Sequence, residues 1–232
     1  MIENIPKKQD SVGSHPAEDK YRYSVIVSEK KIRKGQTRWN QFSDGLNQIN
    51  PETLAGPMLD FGFGVGYFVL EGLRRKMDIW GVDLLPGKIN RYRQLVEFTK
   101  SPAIWKNRCV VGNGEELPFR SNQFAAISSW YVFEHIAHPG QVLREIVRIT
   151  RSKGVIVIRA QDARNGWEGH CKIPWIPFLS KRLAGAWIDE FGKSPELRSG
   201  VYDITQPQVA AILEELDCRI VKKALPPAVL IK

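Results

Sequence analysis

The sequence has few of the residues that form covalent cross-links or metal sites. Its 232 residues include three cysteines and four histidines. Cys109, Cys171 and Cys218 are far apart along the chain, and no two of them form a CxxC pair. This spacing argues against a disulfide framework and against a structural zinc site. We therefore expect neither disulfides nor a bound metal.

Long apolar runs are also missing. The apolar stretches fall well short of the roughly 18 residues that a membrane-spanning helix requires. The N-terminal stretch MIENIPKKQDSVGSHP lacks the apolar core of a signal peptide. We therefore expect a cytoplasmic protein without a transmembrane segment, and peripheral contact with a membrane surface stays open.

Acidic residues are outnumbered by basic ones. The sequence has 34 Lys and Arg against 25 Asp and Glu, which makes a net charge of +9. Residues 1–50 carry 9 basic and 6 acidic side chains, and residues 151–200 carry 9 and 5, so most of the surplus lies in these two segments. Such a surplus suggests an anionic partner, although it does not indicate a fold.

Strand and helix patterns alternate along the chain from Pro57 onward. Short apolar runs that suit buried strands are followed by segments whose apolar residues recur at helical spacing. This order predicts an α/β fold with a parallel sheet that helices cover on both faces. Residues 1–50 are assigned to a polar tail and a cap helix, which is predicted from about Thr37 to Ile49. Residues 51–232 form the predicted main domain.

A glycine loop follows the first predicted strand and opens a helix. It reads Asp60-Phe61-Gly62-Phe63-Gly64-Val65-Gly66, and its glycines allow the backbone to approach a ligand closely. Asp83 ends the second predicted strand, where a carboxylate can accept hydrogen bonds from both hydroxyls of a ribose. The two features together predict a cofactor that contains adenosine. A dinucleotide-binding Rossmann domain would also fit the loop alone.

Five ordered segments resemble those of class I S-adenosylmethionine-dependent methyltransferases, in the small-molecule branch related to the ubiquinone-biosynthesis enzymes. The segments are LDFGFGVG (59–66), GVDLLP (81–86), GNGEELPF (112–119), FAAISSWYVFEHIAHP (124–139) and VLREIVRITRSKGVIVI (142–158). The resemblance implies S-adenosylmethionine as the cofactor. It also implies a Rossmann-like, doubly wound, seven-stranded and mostly parallel sheet whose last strand is antiparallel.

The resemblance further implies which residues hold the methionyl part of the cofactor. Gly62, Gly64 and Gly66 would pass beneath it, and Asp60 would face its amino group. Ser129 and Trp130, directly after the fourth strand, would lie near the methionyl group and the transferable methyl.

The adenosine half has its own implied contacts. Asp83 would hold the ribose and Leu84 would pack on the adenine, while Asn113 and Gly114 would lie at the adenine edge. The family usually has Asp at the position of Asn113. An Asn can still accept a hydrogen bond through its carbonyl oxygen, but without the assistance of a charge.

Few side chains can serve as a general base for methyl transfer. His135 follows the fourth strand and is one candidate, although the family resemblance suggests a structural or pocket-lining role for it. Glu168 and His170 lie in the connection after the fifth strand, which covers the acceptor in the family, and could form a base with its orienting carboxylate.

This connection, residues 161–200, is rich in Gly, Pro and Trp and is predicted to be an irregular lid. Trp167, Trp175 and Phe178 could form an acceptor wall or the core of the lid itself.

The sequence therefore predicts a methyltransferase for a small-molecule, glycan or lipid-linked acceptor, with oxygen as the expected methyl acceptor. The surplus of positive charge in residues 1–50 and 151–200, outside the predicted cofactor-binding segments, favours an acceptor that carries phosphate or carboxylate. Two alternatives stay open, an RNA methyltransferase and a non-catalytic interaction subunit with the same fold. The acceptor and the oligomeric state are not indicated by any motif.

Overall fold

A computed structural model describes residues 29–221 and 228–231 of the chain. The predicted polar tail and an extended segment predicted at Tyr21–Val27 lie outside these residues. So does the end of the strand predicted at Arg219–Ala224. The described residues contain six α-helices, five short 3-10 helices and nine strands.

The bounds of the elements follow the alternation that the sequence predicts. The α-helices are α1 Glu29–Ile49, α2 Tyr67–Arg74, α3 Pro86–Phe98, α4 Pro139–Ile149, α5 Lys181–Glu190 and α6 Gln206–Glu215. The strands are β1 Met58–Phe61, β2 Ile79–Asp83, β3 Cys109–Val111, β4 Phe124–Trp130, β5 Thr150–Arg159, β6 Trp167–Glu168, β7 Ile173–Pro174, β8 Arg219–Val221 and β9 Ala228–Ile231. The 3-10 helices are Pro51–Ala55, Ala103–Asn107, Phe133–His135, Ala163–Asn165 and Pro195–Arg198.

One large sheet has the strand order β3-β2-β1-β4-β5-β9-β8. Strands β1 to β5 are parallel to one another. At one edge, β8 and β9 form an antiparallel pair, and β9 runs antiparallel to β5. A separate small sheet pairs β6 with β7. The predicted α/β, Rossmann-like fold with a mostly parallel sheet is confirmed.

Alternate residues of the central strands point to opposite faces of the sheet, as strand geometry requires. Leu59 and Ile156 join the core beneath α4 and α6. Met58 and Val155 join the core on the other face, beneath α1, α2 and α3. Because both faces are covered, the strands are apolar on both sides, and the polar side chains that bind ligands collect at their carboxyl ends.

Helix α1 is longer than predicted. It begins at Glu29 rather than near Thr37, because the charged run before the amphipathic stretch forms its first turns. Glu29 and Arg33 form an ion pair one turn apart, an arrangement that supports a helix. Trp39 and Phe42 of this helix lie in the same core as residues of β1 and β5.

The segment 161–200 is more regular than predicted. It contains the β6–β7 hairpin and the ten-residue helix α5. Its small core includes Cys171, Ile173 and Trp175. Trp167 and Phe178, by contrast, are 51% and 61% exposed. The predicted irregular backbone of this segment was wrong. Its apolar residues are scattered among Gly and Pro in the sequence and come together only in the folded structure.

Candidate functional site

The glycine loop joins β1 to α2 by a turn that side chains would obstruct. Gly62 has a φ of 73°, and a Cβ built on it would lie 2.3 Å from the side chain of Val132. At Gly64, with a φ of 61°, a Cβ would meet no atom of the described residues within 4 Å. Gly66 precedes the first residue of α2 in the left-handed conformation. The loop is therefore packed against the protein at Gly62 and open at Gly64.

Asp83, at the end of β2, is held by backbone amides. Its Oδ2 accepts from the amide of Gly64 at 3.0 Å, and its Oδ1 accepts from the amide of Leu85 at 3.2 Å. Burial raises the pKa of this carboxyl, while these amides and the positive charge of Lys88 oppose the rise. Leu84 is 62% exposed. The structure therefore places a fixed carboxylate beside an exposed apolar side chain, which suits a ribose and an adenine.

Asp60 is a buried acid beneath the glycine loop. Ser128 Oγ donates to its Oδ1 at 2.8 Å, and 3% of the residue is exposed. Burial raises the pKa of Asp60 to about 7, against the effects of the Ser128 hydrogen bond and the positive Arg38. A cation at this place would favour the ionised carboxylate. Asp60 can therefore face an amino group, as the resemblance implies.

Arg38 is a site residue that the sequence analysis missed. It lies on α1, half-buried, and its guanidinium is 5.6 Å from the ring centroid of Trp130 and 5.7 Å from that of Tyr131. Its charge interacts with Asp60 across the site. One signal in the sequence could have indicated it. Arg38 lies four residues from both Lys34 and Phe42, so it stands at the edge of the buried face of the helix.

Asn113 and Gly114 form a turn after β3. The side-chain oxygen of Asn113 accepts from the amide of Glu115 at 3.1 Å, and Asn113 forms an isolated bridge with Glu116. Gly114 lies against Phe61, whose ring would be 2.9 Å from an added Cβ. The Asn113 oxygen thus already holds the turn, and its second lone pair can still accept from a ligand.

Three buried polar atoms near the loop have no hydrogen-bond partner among the described residues. They are the Tyr67 hydroxyl, Ser129 Oγ and Trp130 Nε1. Buried polar groups are normally paired, so such atoms indicate a missing partner. The polar methionyl group of S-adenosylmethionine would supply donors and acceptors here, beside the open side of Gly64. The residues present therefore fit this cofactor.

The structure brings the three candidate basic and acidic residues together. His170 Nδ1 is 2.8 Å from Glu168 Oε1, and the rings of His135 and His170 meet edge to face at 5.2 Å. Burial disfavours the charge of Glu168, but hydrogen bonds from His170 and the Cys171 amide prevail and lower its pKa to about 2. His135 Nδ1 lies 3.2 Å from the Gly200 carbonyl oxygen. The three side chains thus form one cluster after β4 and β5.

Glu134 adds a second buried acid to this cluster. Its Oε2 has no partner among the described residues, and burial raises the pKa of its carboxyl. The positive form of His170 counteracts that rise, whereas Glu168 reinforces it. The sequence analysis gave this acid no separate role, because only the fold reveals that it is buried next to Glu168.

Residues 29–221 and 228–231 contain neither a metal-binding group of side chains nor a membrane-spanning helix. No group of three His, Cys, Asp or Glu side chains there is arranged to hold a metal ion. No helix in this part of the chain is long and apolar enough to cross a membrane.

Part of the chain matches a known protein family. Residues 59–158 match the family model described as a methyltransferase domain. The chain is 29% identical over 102 residues to a malonyl-[acyl-carrier protein] O-methyltransferase of Halorhodospira halophila, covering 43% of the chain and 33% of that protein. It is 25% identical over 190 residues to a demethylmenaquinone methyltransferase of Thermotoga maritima, covering 77% of the chain and 76% of that protein. The match thus spans about a third of the first relative's length.

The fold is shared with solved methyltransferases. The phosphoethanolamine N-methyltransferase 2 of Haemonchus contortus, in complex with S-adenosyl-L-methionine, superposes with a TM-score of 0.56 at 20% identity, over 79% of this chain and 38% of that one. The glycine loop, the acid after β2 and the matched segment agree with this fold. Residues 59–158 therefore match a methyltransferase domain, within a fold that a solved S-adenosylmethionine-bound methyltransferase shares.

Proposed function

We propose that the protein transfers the methyl group of S-adenosylmethionine to an oxygen atom of a small-molecule acceptor. The observation that carries the oxygen assignment is the 2.8 Å hydrogen bond between Glu168 and His170 in the segment after β5. A hydroxyl must lose a proton to become a good nucleophile, and a histidine oriented by a carboxylate can remove it. One relative is itself named an O-methyltransferase.

The cofactor residues have distinct tasks in this proposal. Asp83 accepts from the ribose hydroxyls and Leu84 packs on the adenine. Asp60 and Arg38 present opposite charges, which match the amino and carboxylate groups of the methionyl part. Bound S-adenosylmethionine supplies a methyl group on a positively charged sulfur, which is already activated for displacement. The protein's contribution is therefore mostly alignment of the acceptor.

His170 is the proposed general base. The pKa of Glu168, about 2, keeps this residue ionised near neutral pH, so its oxygens can only accept hydrogen bonds. His170 Nδ1 must then carry the proton that it shares with Glu168, and Nε2 is the nitrogen that takes up a proton. The ring of His135 packs on His170 and positions it. Because 32% of the His170 side chain is exposed, an acceptor can approach it.

The segment 161–200 forms the acceptor side of the site. Its small core holds the hairpin that carries Glu168, and Asp203 anchors it through hydrogen bonds from the Trp175 indole and the Phe178 amide. Trp167 lies beside Glu168 on the same strand and is exposed. An exposed aromatic ring on the proposed acceptor segment suits the apolar part of a glycan, lipid or aromatic acceptor.

The test measures cofactor binding and turnover separately. Calorimetry with S-adenosylmethionine comes first, since a protein that does not bind it at millimolar concentration is no methyltransferase. Formation of S-adenosylhomocysteine is then followed with a small-molecule extract and, in parallel, with total RNA. We expect turnover with the small molecules alone. Turnover with RNA alone would overturn the proposal in favour of an RNA methyltransferase.

Variants test the base. His170→Gln should lower kcat about 100-fold or more and leave cofactor affinity unchanged. Glu168→Gln should also slow turnover and move the acid limb of the pH profile to lower pH, because the imidazolium loses a neighbouring negative charge. His138→Gln is the control, since His138 is exposed at the start of α4. Unchanged turnover of His170→Gln would contradict the role of His170.

A further inference from the structure

Positive side chains from two distant segments meet at one aromatic ring. Arg38, on α1, and Arg159, at the end of β5, lie over the ring of Tyr131 at 5.7 Å and 5.2 Å from its centroid. Lys34 stands one turn before Arg38 on α1. Burial and then the positive charges of both guanidinium groups lower the pKa of its ammonium group. We call Lys34, Arg38, Arg159 and Tyr131 the cationic cluster.

The cationic cluster is short of negative charge. None of its three cations forms an ion pair with a carboxylate of the described residues, whereas Arg33, Arg75 and Arg108 all do. The acid that acts on Arg38 is Asp60. Asp60 itself has a high pKa and faces the cofactor in the proposed function. Like charges held together without counter-ions are unfavourable, so the arrangement indicates a ligand that supplies the missing charge.

The cluster stands at the acceptor side of the cofactor site. Tyr131 directly follows Trp130, and its amide donates to the Arg159 carbonyl at 2.6 Å across the ends of β4 and β5. Tyr131 has a φ of 61°, an unfavourable conformation for a residue with a side chain, of the kind that collects at ligand sites. Tyr131 is 39% exposed. Arg159 also ends the strand that leads into the acceptor segment 161–200.

We propose that Lys34 and Arg159 bind a phosphate group of the acceptor, so that the substrate of this site is a phosphate monoester. This rests on the proposed function and deepens it. Arg38 neutralises the cofactor carboxylate, which leaves two cations for the acceptor. A phosphate monoester carries nearly two negative charges at neutral pH and matches them, whereas a single carboxylate would leave one cation without a partner. A guanidinium group also fits two phosphate oxygens at once.

The experiment titrates inorganic phosphate and glycerol phosphate into the protein saturated with S-adenosylhomocysteine, at low ionic strength. The variants are Lys34→Ala, Arg159→Met and the two combined. We expect both phosphates to bind the unchanged protein and to lose about tenfold affinity or more in the double variant. Affinity for S-adenosylhomocysteine and thermal stability should stay the same.

Two control variants remove cations that lie on α1 and β5 but outside the cationic cluster. Arg33→Ala removes the residue beside Lys34 that pairs with Glu29. Arg151→Met removes a cation at the opposite end of β5. Neither should change phosphate affinity, and an equal loss in these controls would mean nonspecific charge attraction and overturn the proposal.

Parallel titrations separate the sources of phosphate. Binding of glycerol phosphate supports a soluble acceptor, and binding only to vesicles that contain phosphatidic acid, a lipid phosphate monoester, supports a lipid headgroup with the same chemistry. Tight, salt-sensitive binding of an RNA oligomer without binding of either phosphate would overturn the inference. If S-adenosylhomocysteine binds but phosphate does not, this inference fails alone. If S-adenosylhomocysteine does not bind, the proposed function fails as well.

Discussion

The backbone amide of Gly64 donates a 3.0 Å hydrogen bond to Oδ2 of Asp83, so the glycine loop and the acid after β2 hold each other in place. Gly64 lies in the loop after β1 and Asp83 ends β2, and the carboxyl ends of these two neighbouring parallel strands meet at one edge of the sheet. The carboxylate is therefore oriented by the protein itself before any ligand arrives, and less ordering remains for the binding step.

Replacement of Asp83 tests this arrangement. Asp83→Ala removes the acceptor of both amides and of the ribose, and should weaken S-adenosylmethionine binding about 100-fold. Asp83→Asn keeps one acceptor oxygen and should lose about tenfold. Calorimetry measures both affinities, and thermal unfolding controls for damage to the loop. Equal affinity of the unchanged protein and Asp83→Ala would contradict a role for Asp83 in binding.

The high pKa of Asp60 predicts how stability depends on pH. With a pKa of about 7 in the folded protein against 3.8 in the unfolded chain, Asp60 binds more protons when folded. The free energy of unfolding of the cofactor-free protein should therefore fall as pH rises from about 4 to about 7, and then level off. Urea unfolding over this range measures the slope.

Asp60→Asn should flatten that slope, because an amide does not titrate. It should also weaken S-adenosylmethionine binding about 10- to 100-fold, since a charge-assisted hydrogen bond is lost. Asp78→Asn is a suitable control, because Asp78 is a half-exposed acid paired with Arg108. Identical pH slopes in Asp60→Asn and the unchanged protein would show that Asp60 is not the titrating group.

Two glycines of one loop should respond differently to the same substitution. Gly62→Ala would place a methyl group against Val132, and should lower the free energy of unfolding by roughly 2 kcal/mol or more. Gly64→Ala adds only the strain of a left-handed backbone, about 1 kcal/mol. Its methyl group would point into the open side of the loop, so cofactor affinity should suffer most there. Denaturant unfolding and calorimetry together distinguish the two effects.

The low pKa of Glu168 predicts a loss of stability in acid. Its folded pKa of about 2 lies below the ordinary 4.5, so its ionised form stabilises the protein above about pH 4.5. That contribution is lost as pH falls toward 2. Glu168→Gln should lower the free energy of unfolding by roughly 1–3 kcal/mol near neutral pH, with a smaller difference at about pH 3. A difference that does not shrink in acid would show that the carboxylate charge contributes nothing.

Short stretches of the sequence determined the order of strands and helices and the position of the glycine loop. The glycine loop follows β1 and Asp83 ends β2, both as predicted. Such features depend on the spacing of apolar residues and on backbone conformations that only glycine adopts easily, and both are readable in a short stretch of sequence. The cofactor half of the site is built from these local signals.

Only the tertiary structure decided which residues meet on the proposed acceptor side of the site. Arg38 and Arg159 meet at Tyr131, and His135 meets His170, although each pair is widely separated in the chain. Helix α5 and its small core also went unrecognised in a segment rich in Gly and Pro. Such contacts arise when α1 and the segment after β5 pack at the carboxyl ends of the strands. That packing depends on the shape of the whole core, and no local pattern of residues encodes it.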